Sequence, residues 1–93
     1  MKNQFAIKTT MWRWPGDNGW FFITLDKKLW SQIRSRYPRG MVKIEAHLGK
    51  SMWHTSLLPH TQSESYLISI KSQVRKKEGI MEGDVVRLKF TII

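Results

Sequence analysis

The chain has 93 residues, enough for one domain and too few for two, and it lacks cysteine, which excludes disulfide staples and thiolate–metal sites. Its net charge is +9 and unevenly spread: residues 1–50 carry ten Lys/Arg and three acids, residues 51–93 six and four. Such a field favours polyanions (nucleic acid, anionic lipid or an acidic protein), although solubility alone would account for a basic surface equally well.

Residues 3–14 alternate as a strand does, with Phe5, Ile7, Thr9 and Met11 on one face and Ala6, Lys8, Thr10 and Trp12 on the other. Trp14-Pro15-Gly16-Asp17-Asn18-Gly19 holds Pro-Gly and Asn-Gly turn signals. The aromatic, β-branched run 20–25 then predicts a hairpin partner. Asp26 is a good N-cap, and Leu29, Trp30 and Ile33 share one face of the helix that follows. Pro38 disfavours helical geometry at Tyr37 and should stop the helix there. Residues 41–48 alternate Val42, Ile44, Ala46 and Leu48 with Lys43, Glu45 and His47, a half-buried strand. Gly49-Lys50 is a tight connection to a strand over 51–58, which Pro59 should end. The polar stretch 60–65 reads as an exposed loop. A short strand over 66–70 puts Tyr66, Ile68 and Ile70 on one face. A second helix covers about 72–78, with Val74 inward and Gly79 just past its end. After a turn at 80–84, residues 85–92 alternate Val86, Leu88, Phe90 and Ile92 with Arg87, Lys89 and Thr91 as the last strand. No apolar stretch approaches the roughly 20 residues of a membrane span. Met1-Lys2-Asn3-Gln4 does not open an apolar signal-peptide core. A cytoplasmic protein without membrane attachment is expected.

The order strand, helix, turn, strand occurs twice. Residues 21–30 lie over 66–75, matching Phe21 with Tyr66, Ile23 with Ile68, Thr24 with Ser69, Leu25 with Ile70 and Leu29 with Val74. After a one-residue change in length, Val42-Lys43-Ile44-Glu45 lies over Val86-Arg87-Leu88-Lys89. The expected fold is mainly β with two short helices: a double-split β-barrel built from two pseudo-symmetric strand–helix–strand halves. Residues 1–93 form a single domain, and closure into a barrel removes exposed sheet edges. The short helices should plug or cover the barrel ends.

Three spaced segments support the same expectation. Gly19-Trp20-Phe21-Phe22-Ile23-Thr24-Leu25, Trp53-His54-Thr55-Ser56-Leu57-Leu58-Pro59, and the stretch from Val74-Arg75-Lys76-Lys77-Glu78-Gly79 to Gly83-Asp84-Val85-Val86 resemble the bacterial and archaeal domain of unknown function family nineteen-oh-five. The resemblance implies a double-split β-barrel, the architecture also seen in AbrB- and MazE-type DNA-binding proteins, with one chain supplying both halves. The family often has proline just before its helices; here Asp26 and Ser69 stand there. The resemblance implies no activity, and a shared barrel is not a shared function.

No catalytic residues, metal ligands or cofactors are expected. His54, Ser56 and Asp84 can be drawn as a triad, but no Gly-x-Ser-x-Gly elbow accompanies them. His47, His54 and His60 are too sparse for a zinc site of three or four ligands; only a tight hairpin at Gly49-Lys50 would bring His47 and His54 together. Asp84 is expected to accept backbone N–H bonds in its turn. The informative combination is aromatic and basic. Trp30 and Trp53 are expected in the core, and Trp20 reads as either a core ring or a turn-flanking one. Trp12 and Trp14 beside the loop are the candidate surface aromatics, able to stack on bases while cations meet phosphates. The candidate polyanion-binding cations are Arg13, Lys27, Lys28, Arg34, Arg36 and Arg39. They make no single helical stripe, so a broad field is expected, weighted to the first half of the chain. Two functions stay open. One is a non-catalytic binding domain for nucleic acid or an acidic protein. The other is an accessory domain that binds a protein or small ligand, with no nucleic-acid role. Either would act as a monomer or weak homodimer.

Overall fold

The computed structural model describes residues 3–16 and 19–93; Met1, Lys2 and the expected turn residues Asp17 and Asn18 lie outside them. The elements run β1 (Gln4–Thr10), β2 (Trp12–Arg13), β3 (Phe21–Thr24), α1 (Lys27–Arg36), β4 (Val42–Leu48), β5 (Ser51–His60), a 3-10 turn (Thr61–Ser63), β6 (Ser65–Ser69), α2 (Ser72–Glu78) and β7 (Val85–Ile92). The strands form one curled antiparallel sheet, a half-barrel in the order β1-β7-β4-β5-β6-β3-β2.

Local chemistry sets both helices. The Asp26 carboxylate accepts the Leu29 N–H at 2.9 Å and starts α1. The last hydrogen bond of α1 runs from Tyr37 N–H to Ile33 O, just before Pro38. The helix buries Trp30 and Ile33 against the sheet, with the Trp30 ring 4.7 Å from that of Tyr66. Gly79 ends α2 in the left-handed region at φ +67°, which glycine adopts without a Cβ clash.

Two expected strands behave differently. The run 3–14 is broken at Met11, which is fully buried. There the chain leaves β7 and begins to pair with β3, while Met11 exchanges 2.9 Å backbone bonds with Asp84 O and Gly83 N. Pro59 does not end β5. The strand pairs with β4 through Leu57 and then with β6 through Leu58, Pro59 and His60. Pro59 is tolerated because β4 pairing has stopped at Val42↔Leu57, so the missing N–H costs no ladder bond on that side.

Registers place the core. Ile23 faces Ile68, and Ala46 faces Phe90. Leu25 N–H donates to Tyr66 O, and Ile70 N–H donates to Phe21 O, both at 2.9 Å. The inward positions Ile23, Ile44, Ala46, Leu57, Tyr66, Ile68, Leu88 and Phe90 are all almost fully buried. Among the described residues, no helix is long and apolar enough to cross a membrane.

Candidate polyanion interface

The β2–β3 hairpin carries four aromatic rings on its outer face. Trp12 lies directly opposite Phe22, and the Trp14 N–H donates to Trp20 O at 2.8 Å, so Trp14 and Trp20 are also neighbours. Side chains opposite one another across strands share a face. The rings touch in series: Trp12–Phe22 centroids lie 5.4 Å apart, Trp12–Trp14 5.7 Å, Trp14–Phe22 6.0 Å and Trp20–Phe22 6.2 Å, the last pair nearly parallel. The Trp12 indole N–H is spent on Thr24 Oγ1 at 2.8 Å. Trp14 and Trp20 stay 44% and 52% exposed, so their ring surfaces are open to a ligand. A cleft of about 390 Å³ lies against Trp12 and Trp14. Its floor is Leu25 and Leu67, and Lys27 and His60 stand on its walls. Ser63 Oγ there lies 2.6 Å from His60 Nδ1 and 2.5 Å from Ser65 Oγ.

The outer face of the β1-β7-β4-β5 run is basic. Lys8 faces Arg87 across β1 and β7, and Lys89 lies opposite Ala6 on one side and His47 on the other. Lys43 is exposed on the neighbouring strand. Among the described residues, the one carboxylate on this face is Glu45, and it is already engaged. It accepts from His47 Nε2 at 2.9 Å and from His54 Nε2, its cross-strand partner, at 3.2 Å. Those hydrogen bonds, the one from His47 first, hold the Glu45 carboxyl below the ordinary glutamate value.

The sequence model of the family described as Domain of unknown function (DUF1905) matches residues 8–90. The chain belongs to this family. The span matched to DUF1905 takes in both faces, from Lys8 through the aromatic hairpin to Lys89. No curated protein matches the chain.

In this DUF1905 domain the candidate residues separate into groups. Trp12, half-buried, and Trp14, exposed, lie together on the hairpin, and Arg13 is exposed next to them in the chain with its guanidinium donating to Gly16 O at 3.1 Å. Trp20 joins them at the surface, whereas Trp30 and Trp53 are buried. Lys27 and Lys28 are exposed at the start of α1, and Arg39 is exposed beyond its end. Arg34 faces inward: its guanidinium lies 5.0 Å from the Trp30 ring centre and its Nη1 is buried. Arg36 donates to Asn3 at 3.1 Å and rests over Tyr37. Arg34 and Arg36 therefore pack the helix onto the domain more than they present charge. Lys8, Arg87 and Lys89 were not among the sequence candidates. Their alternation marked them as outward-facing, but only the β1–β7 and β4–β7 registers make them neighbours.

The other candidates resolve through local bonding. The Gly49-Lys50 turn is tight, with Leu48 paired to Ser51, and it does bring His47 and His54 to one carboxylate. Among the described residues, no group of three or more His, Cys, Asp or Glu is arranged to hold a metal ion. His54 is turned to Glu45, and Asp84 accepts the Met81 N–H at 2.8 Å, so the drawn triad is not assembled.

Proposed function

We propose that this DUF1905 chain is a non-catalytic binding domain that holds a polyanion, nucleic acid first among them, on the outer face of β1, β7 and β4. The carrying observation is Lys8 opposite Arg87 with Lys89 beside His47. Like charges directly opposite across strands destabilise a sheet. An anionic ligand relieves that repulsion, so the arrangement favours the bound state. Acidic proteins fall within the same chemistry.

The architecture proposed with it is a double-split barrel of two pseudo-symmetric halves. Counted through Met11, β1 and β2 make one strand that pairs with β7 at one end and β3 at the other, which supports a closed six-stranded barrel. β5 supports it likewise, passing from β4 to β6 after Leu57. Ile23 and Ile68, matched in the sequence repeat, face one another, and so do Ala46 and Phe90, one step beyond the matched segments 42–45 and 86–89. The bonds Leu25 N–H to Tyr66 O and Ile70 N–H to Phe21 O are equivalent under the same exchange. Barrels of this kind in AbrB- and MazE-type proteins bind DNA, an analogy of fold alone.

Fluorescence anisotropy of labelled mixed-sequence DNA and RNA at low salt tests the function. Binding is expected for the native chain and should be lost in Arg87→Glu/Lys89→Glu. No binding to either nucleic acid at low salt would refute the reading. The alternative, a protein- or small-ligand module, draws support from the cleft beside Trp12 and Trp14, where an apolar floor meets the hydroxyls of Ser63 and Ser65.

A further inference from the structure

Two more grooves follow on from the aromatic cleft. A groove of about 410 Å³ runs between β1 and the start of α1, with Lys8 on one wall and Lys28 on the other. It shares Thr24 and Asp26 with the aromatic cleft. A broader one of about 710 Å³ crosses β1, β7 and the end of β4, lined by Arg87, Lys89 and His47, and shares Phe5 and Ala6 with the groove before it. The three form one track from the Trp12–Trp14 rings to the basic sheet face. Along it stand five cations in succession: Lys27, Lys28, Lys8, Arg87 and Lys89. Among the described residues none of the five is paired with a carboxylate. Asp26, the one acid among the described residues that lines the track, is occupied with the Leu29 N–H.

A ligand that fits this track is a flexible chain of anions that also presents flat rings. We infer that the track binds single-stranded nucleic acid, its phosphates on the five cations and its bases stacked on Trp14, which lines it, and on the exposed Trp20 that neighbours Trp14 across the hairpin. This rests on the polyanion reading and adds the substrate class. In a duplex the bases are stacked on one another and cannot lie on an exposed indole, whereas an unpaired base can. The stacking is sequence-tolerant, because every base has a flat face. The long axis of the molecule, 34 Å, sets the scale of a strand that follows the track.

The test compares three probes on the whole chain: an oligothymidylate long enough to span that axis, a duplex of equal length, and inorganic polyphosphate, which has charge and no bases. Native protein should bind the oligothymidylate more tightly than the duplex, with quenching of tryptophan fluorescence. Trp14→Ala/Trp20→Ala should weaken the oligothymidylate by about thirtyfold or more and leave polyphosphate unchanged. Trp14→Phe/Trp20→Phe, which keeps a ring at each position, should recover most of the loss. If polyphosphate and oligothymidylate bind alike and neither responds to the alanine pair, the stacking assignment is overturned while the polyanion reading stands. If no probe binds, both fall.

Discussion

Glu45 sits on the basic face between two histidines, and its titration is the sharpest residue-level consequence of that placement. Its folded value is held below the ordinary one by the His47 bond first and the His54 bond second. A carboxyl whose folded value is depressed adds stability above its unfolded value, and that contribution is lost as pH falls through the lower folded value. An NMR titration of the Glu45 carboxyl carbon should therefore show a midpoint under that of an exposed glutamate. His47→Ala should raise the midpoint more than His54→Ala does, since the His47 bond is the shorter, 2.9 Å against 3.2 Å. Protonating Glu45 removes a carboxylate charge from the face, so polyanion affinity should rise as pH falls through the same range. Equal midpoints in all three proteins would mean that the histidines do not hold the carboxylate in solution. Residues with a local signature, such as Asp26 capping α1 and Asp84 closing its turn, were legible in the sequence. Trp20 was not, because an aromatic residue at a strand end suits a core ring and a surface ring equally well. Only its pairing with Trp14 across the hairpin decides between them.

The β4–β5 turn helps to tie the second helix to the sheet. The Glu78 carboxylate at the end of α2 accepts from Ser51 Oγ at 2.6 Å and from Lys50 N–H at 3.3 Å. Gly49 has φ +59°, and a Cβ there would overlap that carboxylate. Gly49→Ala should thus cost about 1 kcal/mol or more through backbone strain alone, with an added penalty from displacing Glu78. Glu78→Ala should cost about 1–2 kcal/mol for the lost charged acceptor. Urea unfolding of the double variant should show less than the summed loss, because the overlap disappears with the carboxylate; additive losses would show that the two positions act independently. The turn, the helices and the alternating strands were readable, because each depends on neighbours within a few residues. The extent of β5 was not. Pro59 is a strand breaker by local rules, and its toleration depends on where the partner strand β4 stops.

At the scale of the molecule, the charge is organised by face and not by half of the chain. The sequence places most of the excess in residues 1–50, yet the basic face draws Lys8 and Lys43 from that half and Arg87 and Lys89 from the other. The curled sheet unites them, and with the aromatic hairpin it yields two distinct outer surfaces joined by one track. Register across long sequence separations carries no signature in a single chain, so each strand's alternation could be read but the assembled surface could not. If this surface binds a polyanion through these cations, the salt dependence of oligothymidylate affinity counts them. With five contacts and a slope of about −0.7 per phosphate for single strands, log affinity against log salt should fall with a slope near −3.5. Lys8→Gln should make the slope shallower by about 0.7, while Arg34→Gln, removing a cation packed on Trp30, should leave it unchanged. A slope near zero, or one that responds to Arg34 and not to Lys8, would show that the five cations do not meet the phosphates.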